Sequence, residues 1–266
     1  MLTAAEGQAA EVINRAGTAP LVLACEHASA FIPASLAGLG LDAAGAVSHA
    51  AWDIGARDVA VELSRLLDAP LVASRISRLV YDCNRPPDAA SAFPAKSEAI
   101  EVPGNRGLSA AEKRARTAAV YAPFQSLLRE VIAERGAADM PPCLVTIHSF
   151  TPVFNGAPRA VELGLLHDQD ARMAQVMLAA ARNTTALKAA LNAPYDASDG
   201  VLHSLQLHAT SAGLASVMIE IRNDLIDTEA RAAAMAAVLA PMIDAACTQI
   251  AQERGASLAQ MQGERE

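Results

Sequence analysis

The sequence predicts an α/β fold in which helices cover both faces of one sheet. Short apolar runs at 21–25 and 144–147 are typical of buried strands in a mostly parallel sheet. Between them, apolar residues recur with helical spacing in the segment 59–67. Alternation of strands and helices along a chain is characteristic of this class.

Further elements follow from local patterns. We expect strands at 71–73, 79–81, 161–166 and 215–221, and helices that begin near Asp53, Ser109, Asp170 and Thr228. Ser109 and Glu112 form a predicted capping box, Pro123 should bend the helix that follows, and Gly136 should end it. The Pro- and Gly-rich stretch 86–107 is the longest expected loop, and a loop of that length is often functional.

Length and composition limit the class of protein. The 266 residues are 52% hydrophobic, which suits one domain over 1–266, with a polar helical lead-in at 1–19 and a frayed tail at 255–266. The net charge of −8 argues against a nucleic-acid surface or a basic membrane patch. We therefore expect a small-molecule substrate, and the sequence does not define the oligomeric state.

The chain also lacks the usual marks of export. The least polar stretch, 232–247, contains Pro241 and Asp244 and is shorter than the roughly 20 apolar residues of a membrane span. The first residues have no apolar signal region, and no two of the four cysteines are close in sequence. These features predict a cytoplasmic protein with buried thiols.

Polar clusters follow several predicted strands. They are 25–27, 78–85, 148–149 and 220–224, which include two histidines, several acids and several arginines. Ligands of open α/β sheets bind at the carboxyl ends of the strands, so we expect these clusters to meet at one edge. Two histidines with a carboxylate can hold Zn²⁺, a further carboxylate can transfer protons, and arginines can bind a substrate carboxylate.

The residues alone leave several alternatives open. Neighbouring strand residues point to opposite faces, so His27 is chosen as the ligand over Glu26. From the residues alone, Asp53 is better explained as the cap of the helix that begins there. The arginines near Asp82 are equally explained as its structural ion-pair partners. Either His203 or His208 is expected to face the site. A Ser149–His148 nucleophile is disfavoured because no G-x-S-x-G elbow is present.

At these clusters the sequence resembles the N-formylglutamate amidohydrolase family. The matching blocks are LVLACEHAS, HAAWDIGA, SRLVYDCNRP, TIHSFTP, NAPY and LHATSAGLASVMIEIRNDL. The resemblance implies a three-layer α/β/α sandwich around a mixed, mostly parallel sheet. It also implies a cytoplasmic enzyme that hydrolyses N-formyl-L-glutamate to formate and L-glutamate, a step of histidine degradation. The block CEHAS replaces the PHxGT of the metabolic deformylases, which leaves the exact substrate open.

The resemblance assigns a role to individual residues. It implies a Zn²⁺ ion, or another divalent metal, on His27, Asp53 and His148, with Glu220 as the catalytic acid and base. The implied substrate-binding residues are Arg78, Asn84, Arg85, Arg222 and His208. Two alternatives remain, namely hydrolysis of another N-acyl amino acid or short peptide, and a metal-free module that binds anions.

Overall fold

The computed structural model describes residues 1–136, 141–195 and 199–263, with side chains as far as residue 256. The main sheet has seven strands, which in chain order are β1 Ala10–Ile13, β2 Leu21–Cys25, β3 Leu71–Ser74, β6 Cys143–Phe150, β9 Leu163–Leu166, β10 Ala189–Leu191 and β11 Ser216–Arg222. Their spatial order is β1-β3-β2-β6-β11-β9-β10. Two short hairpins stand outside the sheet, β4 Lys96–Ser97 with β5 Ile100–Glu101, and β7 Val153–Phe154 with β8 Ala157–Pro158.

The helices lie on both faces of the sheet. They are α1 Ala43–Ala46, α2 Ala56–Leu67, α3 Ala110–Arg116, α4 Ala122–Gly136, α5 Arg172–Thr184, α6 His203–His208 and α7 Glu229–Gly263. One buried cluster joins alternate strand residues such as Leu21 and Leu23 to α2, α5 and α7. The other joins Val22 and Ala24 to α4 and α6. The predicted α/β sandwich is therefore confirmed.

The sheet is mixed and mostly parallel. β3, β2, β6 and β11 are mutually parallel neighbours, as are β9 and β10. β1 is antiparallel to β3, and β9 is antiparallel to β11. The carboxyl ends of β2, β6 and β11 consequently lie side by side at one edge, and this is where the polar clusters of the sequence fall.

Some expected elements differ from the observed ones. The lead-in contains the edge strand β1 rather than a helix. Residues 79–81 are not a strand, because the chain turns there through a hydrogen bond from the Val80 amide to the Ser77 carbonyl. The loop 86–107 carries the β4–β5 hairpin and short 3-10 turns. In each of these three segments, packing against the rest of the protein determines the conformation more strongly than the local sequence pattern does.

The helix termini agree better with the sequence. Ser109 and Glu112 form the capping box of α3, and α4 ends at Gly136 as expected. A π-helical turn, Thr117–Tyr121, directly precedes the segment that contains Pro123. The helix α7 continues to Gly263, beyond the predicted start of the tail, and residues 264–266 lie outside the described part.

One described helix is long and apolar enough to cross a membrane. It is the part of α7 between Glu229 and Ala256, and 50% of its most apolar window is buried inside the protein. It packs against α2 and α5 in the core. The core helix of a water-exposed domain has the same length and composition, so this helix is weak evidence for a span.

Candidate metal centre and active site

Three strands and one helix start bring the site together. His27 follows the end of β2, and its carbonyl accepts a hydrogen bond from the Asp53 amide at 3.0 Å. His148 lies near the end of β6, directly opposite Glu220 of β11 in the parallel register. Asp53 does not cap α2, because Gly55 occupies the cap position and no side chain bonds there. Its carboxylate is therefore available to the histidines.

Three buried side chains meet at one point. His148 Nδ1 lies 2.9 Å from Asp53 Oδ2, and His27 Nδ1 lies 3.2 Å from the same oxygen. The two Nδ1 atoms are themselves 3.2 Å apart. Ligand atoms about 2.0–2.1 Å from a tetrahedral zinc ion are separated by about 3.3 Å, so this spacing fits a shared ion. His27, Asp53 and His148 thus form a possible metal-binding triad.

The outer nitrogen of each histidine faces another carboxylate. His27 Nε2 lies 2.7 Å from Asp82 Oδ1, and His148 Nε2 lies 3.1 Å from Glu26 Oε2. A hydrogen on each Nε2 leaves the lone pair of Nδ1 directed at the shared point. Carboxylates in this position fix the ring orientation and raise the basicity of a metal-binding histidine.

Arg78 connects the two aspartates. Its guanidinium lies 3.1 Å from Asp53 Oδ1 and 3.0 Å from Asp82 Oδ2. Each aspartate therefore gives one oxygen to a histidine and the other to Arg78. Arg78 therefore forms structural ion pairs with the two aspartates that contact the histidines, which is one of the two roles the sequence left open for it.

The charges of the cluster depend on one another. Burial opposes ionisation, but His27 and His148 hold the pKa of Asp53 well below its usual value. Burial opposes the charge of His148 as well, and Glu26 and Asp53 raise its pKa well above normal. The buried charges of Glu26, Asp53 and Asp82 and those of His27 and His148 stabilise one another, and such a cluster of acids is the environment expected around a cation.

Glu220 differs from Glu26, Asp53 and Asp82 in the direction of its pKa shift, because theirs are lowered and its own is raised. Its side chain is only 5% exposed, and its Oε2 atom has no hydrogen-bond partner among the described residues. Burial raises the pKa of Glu220 to about 7, and the charge of Asp53 acts in the same direction. A carboxyl group with such a pKa can both accept and donate a proton near neutral pH.

A glycine gives Glu220 its space. Gly164 of β9 lies opposite Glu220, and a Cβ atom there would come within 2.1 Å of the Ala193 carbonyl oxygen and 3.1 Å of Glu220 Cβ. The absence of a side chain lets the chain at Ala193 approach the sheet closely. Tyr195 consequently lines the same cavity as Glu220.

The triad opens into a cavity of about 220 Å³. Among the predicted site residues, the cavity is lined by His27, Asp53, Arg78, Asn84, Arg85, His148 and Glu220. Asn84 Oδ1 accepts a hydrogen bond from the Ser204 amide at 3.0 Å, and its Nδ2 donates to the Val201 carbonyl. Arg85 donates to the carbonyls of Asn84 and Gly200.

Two predicted substrate-binding residues lie elsewhere. Arg222 is paired with Glu162 at 3.2 Å and with Asp224 at 2.8 Å, and it does not line the cavity. His208 is buried under α4, where it hydrogen-bonds to Gln125. The spacing along β11 could not reveal that Arg222 is already neutralised by acids from neighbouring loops.

Sequence reasoning did not find the outer acids or Tyr195. Glu26 and Asp82 both lie inside the polar clusters, but no spacing rule tells which histidine each one faces. Glu26 adjoins His27 in the chain and yet contacts His148, since successive residues at the end of a strand point to opposite sides. Tyr195 belongs to the NAPY block, whose position over the sheet depends on a loop.

Comparison with known proteins agrees with this geometry. The family model described as N-formylglutamate amidohydrolase matches residues 19–227. The crystal structure of gene product Atu2144 from Agrobacterium tumefaciens is 52% identical, with a TM-score of 0.91 over 94% of this chain and 98% of that one.

A second solved structure shares the fold. The N-formylglutamate amidohydrolase from Ralstonia eutropha JMP134 is 19% identical, with a TM-score of 0.68 over 89% of this chain and 96% of that one. At that identity the similarity concerns the fold alone. No curated protein matches the chain significantly.

Proposed function

Because the chain belongs to the N-formylglutamate amidohydrolase family, we propose that it is a zinc-dependent amidohydrolase of N-acyl amino acids. The first substrate to consider is N-formyl-L-glutamate, which would give formate and L-glutamate. The observation that supports this proposal most directly is the convergence of His27, Asp53 and His148 on one point beside Glu220.

The donor set suits a divalent ion with an open position. Two imidazole nitrogens and one carboxylate oxygen are a common zinc set in hydrolases, although other divalent metals accept them. When bound, the ion would polarise the substrate carbonyl and help to activate water. A metal-free anion-binding module would not need two Nδ1 atoms within 3.2 Å of each other.

Glu220 supplies the proton transfers in this proposal. Its Oε2 atom takes a proton from the water that attacks the acyl carbon. As the carbon–nitrogen bond breaks, the same oxygen returns that proton to the leaving amine. The overall reaction adds one water across the amide and leaves Glu220 in its starting state.

The remaining cavity residues bind the substrate or hold neighbouring side chains and helices in position. Arg85 lines the cavity and offers its guanidinium to the α-carboxylate of the amino acid. Asn84 keeps the start of α6 in place through Ser204, and so shapes the cavity wall. Arg78 keeps both aspartates ionised and oriented.

The experiment is an amidase assay across N-formyl, N-acetyl and peptide derivatives of Glu, Asp and Gln, with zinc measured on the same samples. We expect Glu220→Gln to keep its zinc and to lose about 10²–10⁴-fold in turnover, the usual contribution of a general acid–base. Glu253→Gln, which changes an exposed acid, is the matched control. A chelator should abolish activity and added zinc should restore it.

The proposal is wrong if the wild type carries no stoichiometric metal and cleaves none of these amides. Retention of full activity by Glu220→Gln would remove Glu220 from the mechanism. A preference for N-acetyl or peptide substrates would keep the chemistry and change the substrate.

A further inference from the structure

Arg159 lies beside the cavity and has no part in the proposed chemistry. It follows the β7–β8 hairpin, which extends from the end of β6. Its guanidinium carbon lies 4.4 Å from the ring centre of Phe154, 4.8 Å from that of Tyr195 and 5.4 Å from that of Phe150. All of these rings also line the metal-site cavity.

The cavity continues outward into a groove that contains Arg159. Arg85, Phe154, Tyr195 and Val201 line both the cavity and this groove, which has a volume of about 490 Å³. A ligand with its amide at the triad would therefore extend past Arg85 toward Arg159. The two guanidinium groups lie along one continuous path.

The charge of Arg159 is not neutralised by any described carboxylate. None lies within ion-pair distance in the described ranges, whereas Arg222, which donates to the Arg159 carbonyl, is paired with Glu162 and Asp224. Asp199 also lines the groove and has contacts of its own. Arg85 likewise has no ion-pair partner in those ranges, so the groove offers two cations to an anionic ligand.

The aromatic rings hold the guanidinium in one orientation. Nη1 donates to the Tyr195 hydroxyl at 3.1 Å, which is the only hydrogen bond from the side chain to a described residue. A guanidinium has five N–H donors, so Nε and Nη2 remain for a ligand. Because the rings fix the group beforehand, a carboxylate can bind to it with little loss of side-chain entropy.

We propose that Arg159 binds the side-chain carboxylate of the substrate and thereby selects acidic amino acids. This assignment rests on the proposed function. The α-carboxylate goes to Arg85, nearer the triad, and the second carboxylate goes to Arg159 in the groove. The ligand class is an N-acyl dicarboxylic amino acid.

The test compares Arg159→Met with wild type on N-formyl-L-glutamate and its neutral analogue N-formyl-L-glutamine. Methionine keeps apolar contact with the rings but removes the charge and the donors. We expect kcat/KM for the acidic substrate to fall about 10- to 100-fold, mainly through KM, as for loss of a charged hydrogen bond. The value for the neutral analogue and the zinc content should not change.

Two further variants complete the comparison. Arg159→Lys keeps a positive charge and should recover part of the loss. Arg231→Met removes an exposed arginine that pairs with Asp227 and should behave as wild type. An equal fall of Arg159→Met on both substrates, or no fall on either, would overturn the assignment.

A binding measurement separates this proposal from the proposed reaction. Titration calorimetry with glutarate and butyrate needs no turnover. Suppose that wild type cleaves no amide but binds glutarate more tightly than butyrate, and that Arg159→Met removes this difference in affinity. The proposed reaction is then wrong, and the proposed role of Arg159 is supported. Equal glutarate binding by wild type and Arg159→Met, or no binding to either protein, overturns the role of Arg159.

Discussion

Two pairs of buried or half-buried histidines lie in this protein in opposite electrostatic environments. Both ring nitrogens of His27 and of His148 face a carboxylate. Asp53 faces one nitrogen of each ring, and the other nitrogen faces Asp82 in His27 and Glu26 in His148. His203 and His208 face neutral groups instead. Tyr121 Oη lies 2.8 Å from His203 Nε2, and Gln125 Oε1 receives a hydrogen bond from His208 Nε2.

The partners decide what each pair can do. Burial opposes the charge of all four rings, but the acids outweigh it at His27 and His148 and raise their pKa values. At His208 burial prevails, with the charge of Arg129 adding to it, and lowers the pKa to about 4. The acids around the first pair favour a bound cation, whether a proton or a metal ion, and the second pair serves as neutral hydrogen-bonding groups in the core.

The strongest test of this contrast removes one histidine from each pair. His27→Ala should weaken zinc binding at least about 100-fold. That is more than the roughly 10–100-fold loss expected when a residue that contacts a metal ligand, but not the metal, is replaced. His203→Gln should keep zinc at the wild-type level, since its ring contacts Tyr121 and not the triad. Metal analysis after dialysis against a weak chelator, with circular dichroism on the same samples, makes the measurement. Full zinc occupancy in folded His27→Ala would rule out the triad as the binding site.

A smaller effect should come from the carboxylates behind the histidines. Asp82→Asn and Glu26→Gln keep the size of each side chain but remove the charge that faces Nε2 of His27 or His148. We expect each to lower zinc affinity about 10-fold, at the small end of outer-partner effects. Competition with a chromogenic chelator measures the affinity. Asp168→Asn, whose carboxylate accepts a hydrogen bond from Thr210, is the matched control. Affinities equal to wild type in both variants would mean that the outer acids only fill space.

The contrast also explains what the sequence could predict. His27 and His148 follow apolar runs, and parallel strands bring their carboxyl ends to one edge, so the pattern alone places them together. Asp53 as third ligand came from the family resemblance, because its local pattern favours a helix cap. The structure excludes the cap, since Gly55 occupies the cap position with φ of 79°.

Residues that depend on loops could not be predicted. His208 was expected to bind substrate, but its position on α6 directs it to Gln125 of α4, a contact across 83 positions of sequence. Arg222 leaves β11 near Glu220, yet Glu162 and Asp224 neutralise it. No sequence pattern indicates a role for Arg159. The rings of Tyr195 and Phe154 contact its guanidinium only because their segments lie over the cavity in the folded protein. Strand order determines which residues lie at the edge, whereas loop conformation determines which charges remain free.

The last prediction concerns the neutral pair, and its effect appears only with pH. The pKa of His208 is about 4 in the folded protein, below its usual value. The unfolded chain therefore binds a proton at higher pH than the native state does. The stability from neutral His208 is fully present above about pH 6.5 and is lost as pH falls toward about 4. The full difference is on the order of 3 kcal/mol, because one pKa unit corresponds to about 1.4 kcal/mol.

Replacement of His208 by glutamine keeps an amide donor near Gln125 and removes the titration. The free energy of unfolding of His208→Gln, from urea titrations of the metal-free protein between pH 7 and 5, should fall less steeply with acid than that of wild type. Over this range wild type should lose about 2 kcal/mol more than the variant. His203→Gln should give a smaller change, because Glu26 and Asp82 partly offset the burial that lowers the pKa of His203. Parallel pH profiles for wild type and His208→Gln would show that His208 can accept a proton without loss of packing. The contrast between the two histidine pairs would then rest on metal binding alone.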